Sequence, residues 1–297
     1  MNNQIDYTIN VRGSLLSLKK PCVMGILNCT PDSFFAGSRK QTGGEIASRA
    51  NQILEEGGKI IDVGAFSTRP GAAEVTEEEE MKRLRFALGI IRKEHPDAIL
   101  SIDTFRPNVA QMAVEEYDAD IINDVSEGGI TGIVDKPLNE KYDITVKNNY
   151  SGYPAIFRMM GKLKVPYILM SVQTNLHDMI INFSKEIQQL RDLGVKDIIL
   201  DPGFGFGKSL NGNYQLLREM DKLAAFNLPI LVGVSRKRMI HQLLGVSVDE
   251  SLNGTVVINT IALMKGAGIL RVHDVKEAFQ AVNIYNKMLS SSEEVKA

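Results

Sequence analysis

Short apolar runs of strand length recur along this chain, and a polar side chain waits at or just beyond the end of nearly every one. "CVMGILN" ends at Asn28, "KIIDVGAFSTR" carries Asp62 and runs on to Arg69, and "AILSID" ends at Asp103. "ADIIND" closes on Asn123 and Asp124, "DIILDPG" reaches Asp201, "ILVGVSRK" reaches Lys237, and "GILRVHD" carries Arg271 and His273. Runs this short and this rich in Ile, Val and Leu fit parallel strands buried on both faces. The pattern predicts strands near 22–28, 59–63, 98–103, 119–123, 166–170, 197–201, 229–234 and 268–272.

Helical periodicity fills the intervals, over 44–56, 76–93, 107–116, 176–193, 213–226, 251–265 and 275–289. Thr76 with Glu79 three residues on makes a capping box, and the acidic run that follows suits the positive end of a helix. Strand and helix in alternation mean an α/β fold with a parallel sheet. Polar groups on nearly every strand tip favour a closed (β/α)₈ TIM barrel, whose chemistry sits at that end. An open doubly wound sheet is the alternative. "YTINVRGSLLSL" predicts an N-terminal hairpin. The polar stretch of about 130–153 breaks the rhythm and reads as an inserted loop before the fifth strand. The final "SSSEEVKA" is expected to fray. One barrel domain over 1–297, with its core at about 20–290, accounts for the whole pattern.

Composition narrows the function. With 297 residues, 44% hydrophobic and 24% charged, the chain has the make-up of a soluble globular protein. A net charge of -2 offers no basic field for nucleic acid or anionic lipid, so an anionic substrate needs a local cluster of cations. No stretch has the length of a signal peptide or a membrane span. Cys22 and Cys29, the only two cysteines, flank one strand, which predicts inert thiols and a cytoplasmic location.

The tips then suggest chemistry. Asn28 can ligate a hard cation or donate to phosphate, or it can merely cap a turn. Phe34 and Phe35, adjacent in a polar loop, suggest a flap over a ring. Thr68, Arg69 and Pro70 follow the second strand, where Arg69 offers bidentate donors to an anion. Asp103, Asn123 and Asp201 converge on one mouth; a metal or a heterocycle with a donor-rich edge, such as a pterin, would satisfy them. "DPGFGFGKS" is a weak phosphate motif, and Phe206 in it can wall an aromatic ring. Ser235, Arg236, Lys237, Arg238, Arg271 and His273 occupy the seventh and eighth tips, the usual phosphate positions of such barrels. His95, His177 and His241 have no such company and read as structural.

"MGILNCTPDSF", "STRPGA", "SIDTF", "INDVS", "LDPGFGFGK", "SRK" and "LRVHDV", in this order, closely resemble the dihydropteroate synthases, a pterin-binding enzyme family of folate biosynthesis. The resemblance runs from about residue 20 to 280. It implies a (β/α)₈ barrel, usually a homodimer and a sulfonamide target. The implied reaction joins 6-hydroxymethyl-7,8-dihydropterin diphosphate to 4-aminobenzoate with Mg²⁺, releasing diphosphate. By the same resemblance Asp103, Asn123, Asp201 and Lys237 hold the pterin, with Met170 beside them. Asn28 is the ligand of the Mg²⁺-diphosphate, and Arg69, Arg271 and His273 touch the diphosphate. Phe34, Thr68, Pro70, Phe206, Lys237 and Arg238 line the aminobenzoate site, and Asp103, Lys237, Arg271 and His273 are the catalytic set.

Three features depart from the family pattern: Ala36 stands where an acidic residue is usual, Ser171 follows Met170 where a histidine is usual, and the loop before the fifth strand is longer. They keep open a paralogue that binds pterin but turns over slowly. A corrinoid-type pterin methyltransferase shares the barrel but needs no diphosphate clamp. A Schiff-base aldolase built on Lys237 lacks an evident acid on the carbonyl side.

Overall fold

Residues 7–29, 39–66, 75–129 and 152–294 are described by the structure, a computed structural model. The chain opens with an antiparallel hairpin, β1 (Thr8–Val11) and β2 (Ser14–Ser17), turned by Arg12 and Gly13, both at positive φ. Then follow β3 (Cys22–Asn28), α1 (Arg39–Glu55), β4 (Ile60–Gly64), α2 (Glu77–Glu94), β5 (Ile99–Asp103), α3 (Pro107–Tyr117) and β6 (Ile121–Asp124). The second half runs α4 (Ala155–Leu163), β7 (Tyr167–Met170), α5 (Leu176–Asp192), β8 (Ile198–Asp201) and α6 (Leu210–Glu219). It ends with β9 (Leu231–Val232), α7 (Arg238–Leu244), α8 (Leu252–Met264), β10 (Ile269–Val272) and α9 (Val275–Glu294).

All eight strands from β3 to β10 are parallel, in the order β8-β7-β6-β5-β4-β3-β10-β9. A parallel bridge from Leu200 to Ile230, and the Leu200 N–H donating to the Pro229 carbonyl at 2.9 Å, join the two ends. The sheet therefore closes, and the open alternative is excluded.

Strand alternation sorts the side chains into two layers. Met24, Ile60, Ile121, Ile168, Ile199 and Leu231 point into the barrel and form a floor with Ile9, Val11 and Leu18 of the hairpin, which stops the N-terminal end. Their neighbours Val23, Ile61, Leu100, Ile122, Leu169 and Leu200 point out, under the helices. Two residues further along β4, β6, β8 and β10 the inward positions turn polar, at Asp62, Asn123, Asp201 and Arg271.

Helix starts follow local chemistry. Thr76, Asn175 and Ser209 accept from the backbone N–H of Glu79, Asp178 and Gly212, as cap side chains do. Several expectations need correction. The strand expected over 229–234 is regular only at Leu231–Val232, with a single bridge at Ile230 before it, because the chain turns beyond it to present Ser235 and Lys237. The helix expected from residue 213 begins at Leu210 and tightens to a 3₁₀ turn over Met220–Phe226. The interval before β7 contains α4, which buries Ile156, Phe157 and Met160, so residues 155–163 supply the missing helix. Of the proposed inserted loop, 130–151 lies outside the described residues. The expected frayed tail is helical to Glu294, and the Ser290 and Ser291 hydroxyls bond back to Lys287 and Met288 carbonyls.

Candidate active site

The polar layer above the floor is one network. Arg271 on β10 reaches across the lumen: its Nε donates to Asp62 Oδ2 of β4 at 2.7 Å and its Nη2 to Asp103 Oδ2 of β5 at 2.6 Å. Asn123 on β6 donates its Nδ2 to both Asp62 oxygens at 3.3 and 3.4 Å, and its own Oδ1 is buried without a partner among the described residues. Asn28 stands on the β3 tip opposite Gly64, where a Cβ would lie 3.4 Å from the Asp103 Cβ and 3.6 Å from Asn28 Oδ1. A side chain at position 64 would crowd this corner. The Asn28 amide makes no hydrogen bond to another described residue.

Asp201 begins a second group. Its Oδ1 accepts from the Gly203 N–H at 2.7 Å, while Oδ2 accepts from no described residue. Gly203 lies at φ +66, and a Cβ there would meet the Ser171 carbonyl at 2.0 Å, so the loop after β8 presses directly on the tip of β7. Met170 is fully buried beside it. Lys237 caps α7 and donates its Nζ to the Phe204 carbonyl at 2.5 Å, and that ammonium lies 4.7 Å from the centroid of the Phe206 ring. The cation holds the aromatic wall in place.

Burial governs the electrostatics. It raises the Asp103 carboxyl to about 7, with Arg271 pulling it down and Asp62 pushing it further up. It also raises Asp201, against the pull of Lys237 and the Gly203 N–H. Burial pushes the Lys237 ammonium down to about 8, with Asp201 opposing. For Arg271 burial works against the charge, but Asp62 and Asp103 outweigh it and the guanidinium is raised above its usual range. Both cysteine thiols are pushed up to about 12 by burial and stay protonated.

His273 is half-buried, and Ser235 Oγ lies 3.2 Å from both its backbone N and its Nδ1. Arg236, expected among the phosphate groups, serves elsewhere. At φ +54 it turns out of the mouth, grips Asp274 at 2.8 and 2.9 Å, and donates to the Val248 and Asp249 carbonyls. Arg238 is exposed and lines a shallow groove of about 480 Å³ with His241 and Gln242, apart from the lumen residues. Phe34, Ala36, Thr68, Arg69 and Pro70 lie outside the described residues. Ser171, the departure in the fifth strand, faces away from the lumen and donates to Glu127 at 3.2 Å. Sequence reasoning gave no role to Asp62, and it set Ser235 among the phosphate positions without its link to His273. A carboxylate in the interior of a strand buried on both faces was the available signal for Asp62.

The family profile described as Pterin binding enzyme matches residues 24–273. The dihydropteroate synthase of Escherichia coli (strain K12) is 38% identical over 284 residues, covering 95% of this chain and 96% of that protein. Among solved structures, Yersinia pestis dihydropteroate synthase in a sulfonamide drug complex superposes with TM-score 0.80 at 34% identity, covering 96% of this chain and all of the other. Xanthomonas albilineans dihydropteroate synthase with 4-aminobenzoic acid gives TM-score 0.79 at 31% identity, covering 96% and 98%. A profile match over most of the barrel, and relatives similar over nearly their whole length, mean that this chain belongs to the pterin-binding enzyme family, among its dihydropteroate synthases.

Proposed function

We propose that the substrates are 6-hydroxymethyl-7,8-dihydropterin diphosphate and 4-aminobenzoate, and that the residues above divide the work between them. The observation that carries this reading is the pair of open acceptors in a buried lumen: Asn123 Oδ1 and Asp201 Oδ2 have no donor among the described residues. A pterin edge offers ring N–H and 2-amino donors in parallel, which such acceptors satisfy. Phe206, held by Lys237, supplies a flat wall for the aminobenzoate ring. Arg271, His273 and Asn28 stand on the side where the diphosphate leaves.

The reaction is an ionising substitution. The pterin-CH₂–O bond breaks with its electron pair on the diphosphate, and the cation spreads into the dihydropterin ring. Asp62 and Asp103 face that charge as carboxylates held in place by Arg271. The amine of aminobenzoate attacks the CH₂ carbon and then sheds its proton, which bonding has made acidic. Asn28 would hold Mg²⁺, since its half-buried amide oxygen has no partner among the described residues and oxygen donors suit that ion. The metal would supply neutralisation of diphosphate charge there.

The enzyme works as a homodimer in a reducing cytoplasm. Both described cysteines are free thiols, and no helix among the described residues is long and apolar enough to cross a membrane. α8 is apolar nearly all round: it buries Ile258 and Leu263 yet exposes Val257, Ile261 and Met264, next to exposed Phe279, Ile284 and Met288 of α9. Such a patch fits a second copy of itself, and sedimentation at the mass of a single chain would exclude the dimer. The deciding assay is diphosphate release that needs both the pterin diphosphate and aminobenzoate, with Mg²⁺. Release without aminobenzoate would make this a hydrolase, and pterin binding without release would make it a binding paralogue.

A further inference from the structure

Lys208 follows the glycine-rich loop, and its side chain folds back under that loop. The residue is 2% exposed. Its Nζ donates to the Gly203 carbonyl at 2.8 Å, to the Phe206 carbonyl at 3.3 Å and to the Ser171 carbonyl on the neighbouring β7 tip at 3.4 Å. An ammonium has three N–H groups, and three carbonyls take them. Nothing is left for a ligand, so Lys208 acts on the loop and not on substrate.

The loop needs such a tie. Gly203, Gly205 and Gly207 all lie at positive φ, a path with little intrinsic preference for one shape. Two ammonium groups collect its carbonyls from different sides: Lys208 takes Gly203 and Phe206, and Lys237 takes Phe204. Asn213 holds it from the helix beyond, accepting from the Gly205 N–H at 2.7 Å and donating to the Ser209 carbonyl at 2.8 Å. Buried Glu127 secures the other side of the contact by accepting from Ser171 Oγ, the Val172 N–H and Gln173 Nε2. Burial pushes the Lys208 ammonium down to about 8, with Asp201 and Glu127 opposing, so the charge is largely kept at neutral pH.

We propose that Lys208 is a positioning residue of this reaction: by tying the Gly203 and Phe206 carbonyls to the tip of β7, it sets the ring of Phe206 and the carbonyl that receives Lys237. The inference rests on the reading of Phe206 as the aminobenzoate wall. It bears more on aminobenzoate than on the pterin, because Lys208 holds the loop beyond Asp201, which meets that loop only through the Gly203 N–H, and makes no hydrogen bond to Asn123 on β6.

The test is steady-state kinetics and pterin calorimetry on the full-length protein, with Lys208→Met, Lys208→Arg and Phe206→Ala side by side. Lys208→Met is expected to raise the KM for aminobenzoate at least tenfold and to leave pterin affinity within threefold, and Lys208→Arg is expected to recover part of the loss. Equal weakening of both ligands, or a lower unfolding midpoint with an unchanged aminobenzoate KM, overturns the proposal and makes Lys208 scaffold. An unchanged KM in Phe206→Ala means instead that the wall reading has failed, and the proposal falls with it. If Lys208→Met does not fold, Lys208→Gln, whose amide keeps two donors without the charge, is judged by the same outcomes.

Discussion

Two arginine–aspartate networks lie at opposite ends of this barrel, and they differ in charge balance: two guanidiniums meet one carboxylate at the first, and one guanidinium meets two carboxylates at the second. At the N-terminal end Asp120, 1% exposed, accepts the Leu100 N–H at 2.8 Å and Arg92 at 3.2 Å, and pairs with Arg12 of the hairpin turn at 2.7 Å. The remaining donors of both arginines go to backbone carbonyls: Arg12 to Pro96 and Asp97, Arg92 to Ala98, Tyr117 and Asp118. At the C-terminal end one guanidinium serves two carboxylates, Asn123 Oδ1 is left over, and Asp103 is raised to about 7. Asp120 Oδ1 has no hydrogen bond of good geometry but is neutralised by Arg12 Nε at 2.7 Å, whereas Asn123 Oδ1 faces no cation or donor among the described residues, and such an acceptor is costly unless a ligand supplies the donor. The first network fastens the hairpin plug. The second waits for substrate.

The sharpest way to break this contrast is at Asp201. Asp201→Asn sets an NH₂ against a pterin donor, and pterin affinity by calorimetry is expected to fall by about 2–4 kcal/mol, roughly thirty- to a thousand-fold, with the fold intact. Affinity within threefold of the parent would remove Asp201 from the pterin site. At the other end, Asp120→Ala strips the counter-charge from two arginines and should cost about 2–3 kcal/mol of unfolding free energy in urea, below the usual figure because Arg12 is over a third exposed. KM values should stay unchanged, and a change in them would mean that the scaffold network reaches the mouth.

A pH series sharpens the comparison further. Folded Asp103 holds its proton up to about 7, while the unfolded carboxyl releases it near 3.8. Between those values the native state binds the extra proton, so this group's contribution is full below about 4 and is lost as pH rises through 7. The ligand-free parent should therefore lose about 1–2 kcal/mol more than Asp103→Asn over that window. Parallel curves for the two proteins would place the Asp103 carboxyl in its ordinary range. The smallest effect is expected at Ser235→Ala, which takes a partner from the His273 backbone and ring: about 1 kcal/mol in the affinity advantage of the diphosphate ester over free hydroxymethyl-dihydropterin. Equal losses for both ligands would put His273 in the pterin pocket.

Much of this was legible along the chain, for a reason visible in the strands. A run buried on both faces must be apolar, so a polar residue at its end stands out, and Asn28, Asp103, Asn123 and Asp201 were readable that way. Asp62 was noticed but had no partner within reach of any local pattern, because Arg271 lies 209 residues away. The neighbours Arg236 and Lys237 looked alike in "SRK". A positive φ at Arg236 sends one out to Asp274 and lets the other return to Phe204. Ser171 looked like a change in the active site, yet strand parity points it outward to Glu127.

By itself, then, the sequence determined the alternation of strand and helix, the apolar floor, and the end of the barrel at which polar chemistry gathers, since each follows from the solvent preference of residues two or four apart. The tertiary structure alone decided which polar residues share charge, which acceptors stay open and which lysine holds a loop instead of a ligand. Those choices depend on closing the sheet from β8 to β9, which brings side chains hundreds of residues apart into one water-poor space where a hydrogen bond or an unpaired group carries its full weight.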